Sequence, residues 1–335
     1  MRTTTTSATL AALSAVLLCA CAAPRPPVRT DVPEPAVSPV STLAPAGRLV
    51  ALTGGAEPEG LVADDVSNTL AIAVRKPDGV LLADLRTGVV RTRVPTDGAP
   101  RHLQLEGPGG PLLAPAEGGD RLYRLALPGG AVIDQTAVGR QPHDAAAAGG
   151  SVFVGDELGN TVHVIHPDGS VAVQAAPLQP GGIAAARDGS VVLVVGVRGR
   201  QVQALRADGA VLGRAPGGVG PTHVRAGPGG LFYVADTEGN AVLVFGVGPH
   251  GPRLVGRVAT GGTPYGVAVD AVRRRVYVTL TASNTLRSFR IDGHRLVPDR
   301  TWPTPRQPND VAVDEKTGQV VVAGTAGSVL QYLDP

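Results

Sequence analysis

Cysteine is almost missing: the 335-residue chain has two, both within its first 21 residues. Beyond Cys21, disulfides, thiolate catalysis and cysteine-ligated metal or haem are therefore excluded. Aromatic residues make up 3% of the sequence, too few for an aromatic cage or an aromatic-lined sugar groove. Electron transfer through a quinone or haem would lack both the cysteines and the aromatic planes it needs. No basic run exceeds Arg273-Arg274-Arg275 and the net charge is +2, so the clustered basic face of a nucleic-acid binder is missing. Helical periodicity is absent outside the first twenty residues. There is no GxSxG elbow, HExxH pair or Walker pattern, which leaves serine hydrolase, zincin and NTPase chemistry without support.

What the chain has in quantity is punctuation, with 45 glycines and 30 prolines. Seven of the prolines recur at a nearly fixed distance: Pro58, Pro100, Pro142, Pro180, Pro221, Pro264 and Pro308, spaced 38 to 44 residues apart. Each opens a unit in which a short aliphatic strand, a second strand such as SVFVGD or LFYVAD, a Gly/Asn turn and two further strands follow. A four-stranded antiparallel blade repeating at about 40–45 residues is the signature of a β-propeller. The expected fold is therefore all-β, a seven-bladed propeller over residues 47–335. Material for only three strands follows Pro308, while an orphan strand, residues 48–53, precedes the first unit. That N-terminal strand is expected to complete the last blade and close the ring, covering the edges an open sheet would expose. Asp168-Gly169, Asp208-Gly209 and Asp292-Gly293 read as tight turns from third to fourth strands, and Asp188-Gly189 as a turn from a first strand to a second. The GPGG runs at 107–110 and 227–230 are turns too, since no helix follows either.

Residues 1–20 carry one basic residue and an apolar stretch of about a dozen, too short to span a bilayer and suited to the core of a secretory signal. Leu18-Cys19-Ala20-Cys21 resembles the lipobox of bacterial lipoproteins, with Cys19 standing where a small or hydroxylated residue is more usual. The resemblance implies cleavage before Cys21, lipidation of Cys21, and an exported chain anchored at the outer face of the cytoplasmic membrane or in the cell envelope. An ordinary secretory signal cut at a small residue is the alternative. Residues 21–46, rich in proline and poor in large apolar side chains, are expected to form a semi-stiff tether.

The blades with Gly159-Asn160-Thr161-Val162-His163-Val164-Ile165, and with Pro264-Tyr265-Gly266-Val267-Ala268-Val269-Asp270 followed by Arg275-Val276-Tyr277-Val278-Thr279, resemble YVTN and NHL-type propeller repeats. The likeness covers residues 48–335 and implies the fold rather than an activity. Proteins with such repeats include lactonases, streptogramin lyases, amidating lyases and surface proteins with only a binding role, so function must be argued from a site.

First strands line a propeller's channel, which places the two positions after each marker proline at the channel mouth. These positions hold Arg101 and His102, His143 and Asp144, Thr222 and His223, Tyr265, and Asn309 and Asp310. Second-to-third connections add Arg75, Glu117, Asp156 and Asp236 on the same face. Polar groups converging on a concave opening mark a site. The candidates for chemistry are His102, His143, Asp144, His223 and Asp310. His102, His143 and Asp144 are the candidate ligands of a divalent cation, the one cofactor this composition suggests. Arg101, Tyr265, Asn309, Asp156 and Asp236 are the candidate binding residues. The competing reading is structural: His and Asp after a proline also satisfy backbone donors in turns. Asp156 and Asp236 share a repeat position, which favours turn capping for both.

Two functions follow as expectations. The first is a membrane-anchored binding or scaffolding ring, acting as a monomer, with an envelope protein or a cell-wall or lipid ligand on its top face. The second is a metal-assisted lyase or lactonase at the channel mouth.

Overall fold

The computed structural model describes Met1 and residues 32–335. The expected signal segment, the lipidation site at Cys21 and the tether up to residue 31 lie outside the described residues. Among the described residues, the strands form seven four-stranded antiparallel sheets. Their first strands lie side by side around a centre, the last against the first, so the fold is a closed seven-bladed β-propeller.

Blade 3 shows the local logic. Its strands are Pro142–Ala148, Ser151–Asp156, Thr161–Ile165 and Val171–Ala175. Every residue of the second strand is buried, because both of its faces pack against neighbouring blades. The outer strand alternates exposed with half-buried, as a rim strand should. The core is correspondingly shared between blades: Phe232, Val234 and Phe245 of blade 5 pack with Leu193, Val195 and Val202 of blade 4.

The ring closes as the orphan strand suggested. Blade 7 consists of Pro308–Val313, Val320–Gly324 and Val329–Leu333, and its outer strand is Arg48–Ala51, paired from Arg48 opposite Tyr332 to Ala51 opposite Val329. The Arg48 guanidinium lies 4.1 Å from the centre of the Tyr332 ring, a cation–π contact that pins the closing strand.

Directly after the marker proline, six of the seven first strands shift register against their second strands. A bulge of this kind re-aims the side chains it contains. Here it turns the second residue after the proline toward the next blade. Where that residue is glycine, the two backbones touch: a Cβ on Gly60 would lie 2.3 Å from the Arg101 carbonyl oxygen, and one on Gly182 would lie 2.6 Å from that of Thr222. Gly60→Ala is therefore expected to cost about 2–3 kcal/mol through overpacking at the blade interface. Gly129→Ala, whose Cβ would meet nothing within 4 Å, serves as the control in urea unfolding. Equal midpoints for the two variants would refute the close-contact account.

Residues 32–46, part of the stretch expected to be a tether, run over the ring. The Ser38 hydroxyl, buried, donates to the Thr281 carbonyl (2.6 Å) and accepts from the Gln307 amide (3.1 Å). The Ala36 amide donates to Thr281 Oγ1 and the Ser38 amide to Gln307 Oε1, while Gln307, Arg306 and Asn284 side chains donate to the carbonyls of Ala36, Ser38 and Pro39. The Ala46 amide then reaches the Pro303 carbonyl and leads into the closing strand.

Candidate functional site

At the mouth of the channel a cavity of about 40 Å³ is lined by Arg101, His102, His143, Glu157, Gln179, Thr222, His223 and Tyr265 and is roofed by Val32, Pro33 and Glu34. It has room for only a few waters.

The imidazoles come together. His102 Nε2 lies 2.9 Å from His223 Nε2, joining blade 2 to blade 5 across the channel, and the His102 and His143 ring centres are 4.9 Å apart. The proton positions in the first pair follow from one fixed point. His223 Nδ1 is 2.8 Å from the Tyr265 carbonyl oxygen, which can only accept, so Nδ1 carries the hydrogen. His223 Nε2 is then the acceptor and His102 Nε2 the donor, which leaves His102 Nδ1 as a bare lone pair. That nitrogen is buried and, among the described residues, has no hydrogen-bond partner. Burial holds both histidines well below 6.5 and hence neutral, helped at His102 by the charges of His223, His143, Arg225 and Arg101, and at His223 by those of Arg225, His143 and Arg101 against the Tyr265 hydrogen bond.

His143 is in the opposite state. Its Nδ1 lies 2.8 Å from Glu117 Oε1 and 3.5 Å from Glu157 Oε1, neither along the N–H direction. Burial works against the charge, but the two carboxylates outweigh it and raise the imidazole to about 9. Burial likewise opposes ionisation of Glu157, and the nearby charge of His143, with the Gln179 hydrogen bond, overcomes it to bring the carboxyl down to about 2. Gln141 and Gln179 donate to its two oxygens at 2.7 and 3.0 Å. Glu117 also meets Arg75 (3.2 Å) and Arg101 (4.0 Å). Arg101 is held fully charged against its burial by Tyr265, Glu59, Glu117 and Glu34, and burial pushes the Tyr265 phenol up to about 12.

Glu117, His143 and Glu157 offer ligand atoms all within 4.8 Å of one another, a two-carboxylate, one-imidazole set suited to a divalent ion. In this structure the His143 imidazolium itself supplies the positive charge between the two carboxylates, so a metal would have to displace that proton.

The aspartates expected at the site do other work. Asp144 Oδ2 accepts the Ile183 amide of the next blade (3.0 Å), and its Oδ1 accepts from Ala145 N and Gln104 Nε2. Asp310 Oδ2 accepts the Leu61 amide (2.8 Å) in the same way. Both are buried latches between blades, and neither lines the cavity. Burial raises both carboxyls, Asp310 to about 6. No hydrogen bond joins His102 to Asp144, or His143 to Asp156, among the described residues. Asp156 caps its turn, accepting from Gly159 N, Arg140 N and Thr161 Oγ1, and its histidine neighbour is His163 at 3.6 Å. Asp236 accepts from Val219 N and Gly220 N. Asn309 bridges Gln307 and Glu59 beside the N-terminal segment rather than in the cavity.

Sequence reasoning therefore found Arg101, His102, His143, His223, Tyr265 and Glu117, and missed Glu157, Gln141, Gln179 and the roof. A signal for part of this was present. Gln141, Gln179 and Gln307 each precede a marker proline, and all three sit at positive φ, where their side chains turn to the mouth.

No protein-family model matches the sequence, and no curated protein matches it. Solved structures do match in fold. A chain of the mitotic checkpoint complex superposes with a TM-score of 0.73 at 13% identity, covering 96% of this chain and 99% of that one. Virginiamycin B lyase from Staphylococcus aureus gives 0.71 at 14% identity, over 86% and 98%. A chain of Kuenenia stuttgartiensis hydrazine synthase gives 0.71 at 16%, over 85% and 97%. Likeness at this identity to proteins so different in kind establishes the propeller and no chemistry.

Proposed function

We propose that the chain is a lipid-anchored extracytoplasmic propeller that binds an envelope protein or ligand on the face carrying the channel mouth. The observation that supports it best is that this face already holds a peptide. Residues 32–39 lie on it without helix or strand, recognised through their backbone by Thr281, Asn284, Arg306 and Gln307. The apolar stretch of residues 1–20 and the lipobox-like Cys21 support the anchor. Crosslinking of the full chain in native membranes tests the reading: a crosslinked partner is expected on the mouth face, and Cys21→Ala is expected to release the protein from the membrane fraction. A protein recovered alone in every preparation would count against it.

A second reading, a lyase or lactonase, is favoured by one observation. Two imidazoles whose ring centres are 4.9 Å apart hold opposite protonation states, His102 with a bare Nδ1 and His143 charged. That is the division of labour a base and an acid need in elimination or ring opening. A divalent ion on Glu117, His143 and Glu157 would displace the His143 proton and supply Lewis acidity in place of that acid. On this reading, elemental analysis of the dialysed protein gives about one equivalent of divalent metal, lost in His143→Ala. A metal-free wild type that matches both His143→Ala and Glu157→Gln in lactone and lyase assays would rule it out.

A further inference from the structure

Pro33 and Glu34 close a cavity whose other walls are Arg101, His143, Glu157 and Tyr265, and Val32 packs against the core shared by blades 4 and 5. Hydrogen bonds then hold Ala36, Ser38 and Pro39 by backbone carbonyls and amides, which any extended segment offers, and only the Ser38 hydroxyl adds side-chain readout. Specificity at the inner end is chemical: buried Pro33, which has no amide to leave unsatisfied, in the cavity, and the exposed Glu34 carboxylate, which lines the same cavity as Arg101 and adds to the negative charge that keeps its guanidinium protonated. The segment thus has the form of a bound ligand that happens to be covalently attached. We propose that the mouth is a receptor for an extended, proline-containing acidic peptide of a partner protein, and that residues 32–39 are a built-in competitor occupying it until displaced. The proposal rests on the binding reading above and gives it a ligand class.

The geometry sets the terms of competition. A tethered segment of this length acts at an effective concentration of about 1 mM, so a free peptide must exceed that advantage or the strap must be loosened. Ser38→Arg loosens it, since the buried hydroxyl that bonds Thr281 and Gln307 is replaced by a side chain with no space to enter.

The experiment uses the full chain and a fluorescent peptide of the sequence of residues 32–40, with anisotropy as the readout. Ser38→Arg is expected to bind the peptide at least about tenfold more tightly than wild type. Replacing the glutamate of the peptide by glutamine, or adding Gln307→Ala to the Ser38→Arg chain, should each lose most of that gain, and a scrambled peptide should show none. Hydrogen exchange verifies that Ser38→Arg frees the amides of Ala36 and Ser38 while the blades stay protected. Should it fail to do so, Ser38→Pro, which removes both the amide that bonds Gln307 and the hydroxyl that bonds Thr281 and leaves the receptor residues intact, releases the strap instead, checked by exchange at Ala36 and read by the same anisotropy. A released strap with no binding, or with equal binding of native and scrambled peptides, overturns the proposal. If a partner nevertheless crosslinks to the mouth face in membranes, the binding function survives and only this ligand class falls.

Discussion

Asp144→Ala is expected to destabilise the ring by about 3–5 kcal/mol, because it orphans buried donors rather than removing a reactive group. The carboxylate accepts from Ile183 N at 3.0 Å, Ala145 N at 2.8 Å and Gln104 Nε2 at 3.0 Å, and its side chain is wholly buried. Each donor left unsatisfied costs about 1–3 kcal/mol. Asp144→Asn should fall between the wild type and the alanine variant, since its amide oxygen can accept on one side while its NH2 faces a donor on the other. Urea unfolding of the two variants checks both points. A loss below about 1 kcal/mol for the alanine variant would contradict the latch and return Asp144 to the candidates for chemistry.

The stability of the protein is expected to peak near pH 6.5 and to fall on both sides for different reasons. His143 keeps its proton to about 9 in the folded ring against 6.5 ordinarily. Its contribution is thus complete below pH 6.5 and is lost as the pH climbs through 9, amounting to roughly 3 kcal/mol. His102 and His223 are held neutral well below 6.5. Unfolding lets them take up protons, so their contribution is present above pH 6.5 and disappears as the pH falls, at about 2.7 kcal/mol per unit for the pair. Asp310, raised to about 6, acts with the opposite sign, returning some stability between pH 6 and 4 as it is protonated in the fold. Thermal melts from pH 4 to 10 test this. His143→Gln should flatten the alkaline limb and His102→Gln the acid limb; an alkaline limb unchanged in His143→Gln would defeat the assignment.

The fold was legible because the markers that betray it are conformational. A proline opens each blade, and Asp-Gly or Gly-Asn marks its turns, and these residues have to stand there whatever the blade does. The site was legible in part, for a reason that His102, Asp144 and Gly182 make plain. All three are the second residue after a marker proline, at or beside the same bulge. Reach decides the outcome: glycine lets backbones touch, an aspartate stops at the nearest amide of the next blade, and an imidazole crosses the channel. No periodicity encodes that difference. Glu157 was hidden beside Asp156, where the turn made the aspartate look like the informative residue. The strap was hidden more deeply, since its partners Thr281 and Gln307 lie more than 240 residues away along the chain. Its composition shows that it cannot build a core, but not that it can borrow one.

The pairing of Arg48–Ala51 with Val329–Leu333 also dictates an order of events. A chain made from its N-terminus carries the closing strand from early on but lacks its mate until synthesis is nearly finished. Through that interval the nascent arc has two open sides, each a row of unpaired amides and carbonyls able to recruit another strand. Joining them is among the contacts of greatest sequence separation in the described residues, and therefore a late step. Anything that arrests elongation before Val329 leaves an unsealed crescent rather than a smaller ring.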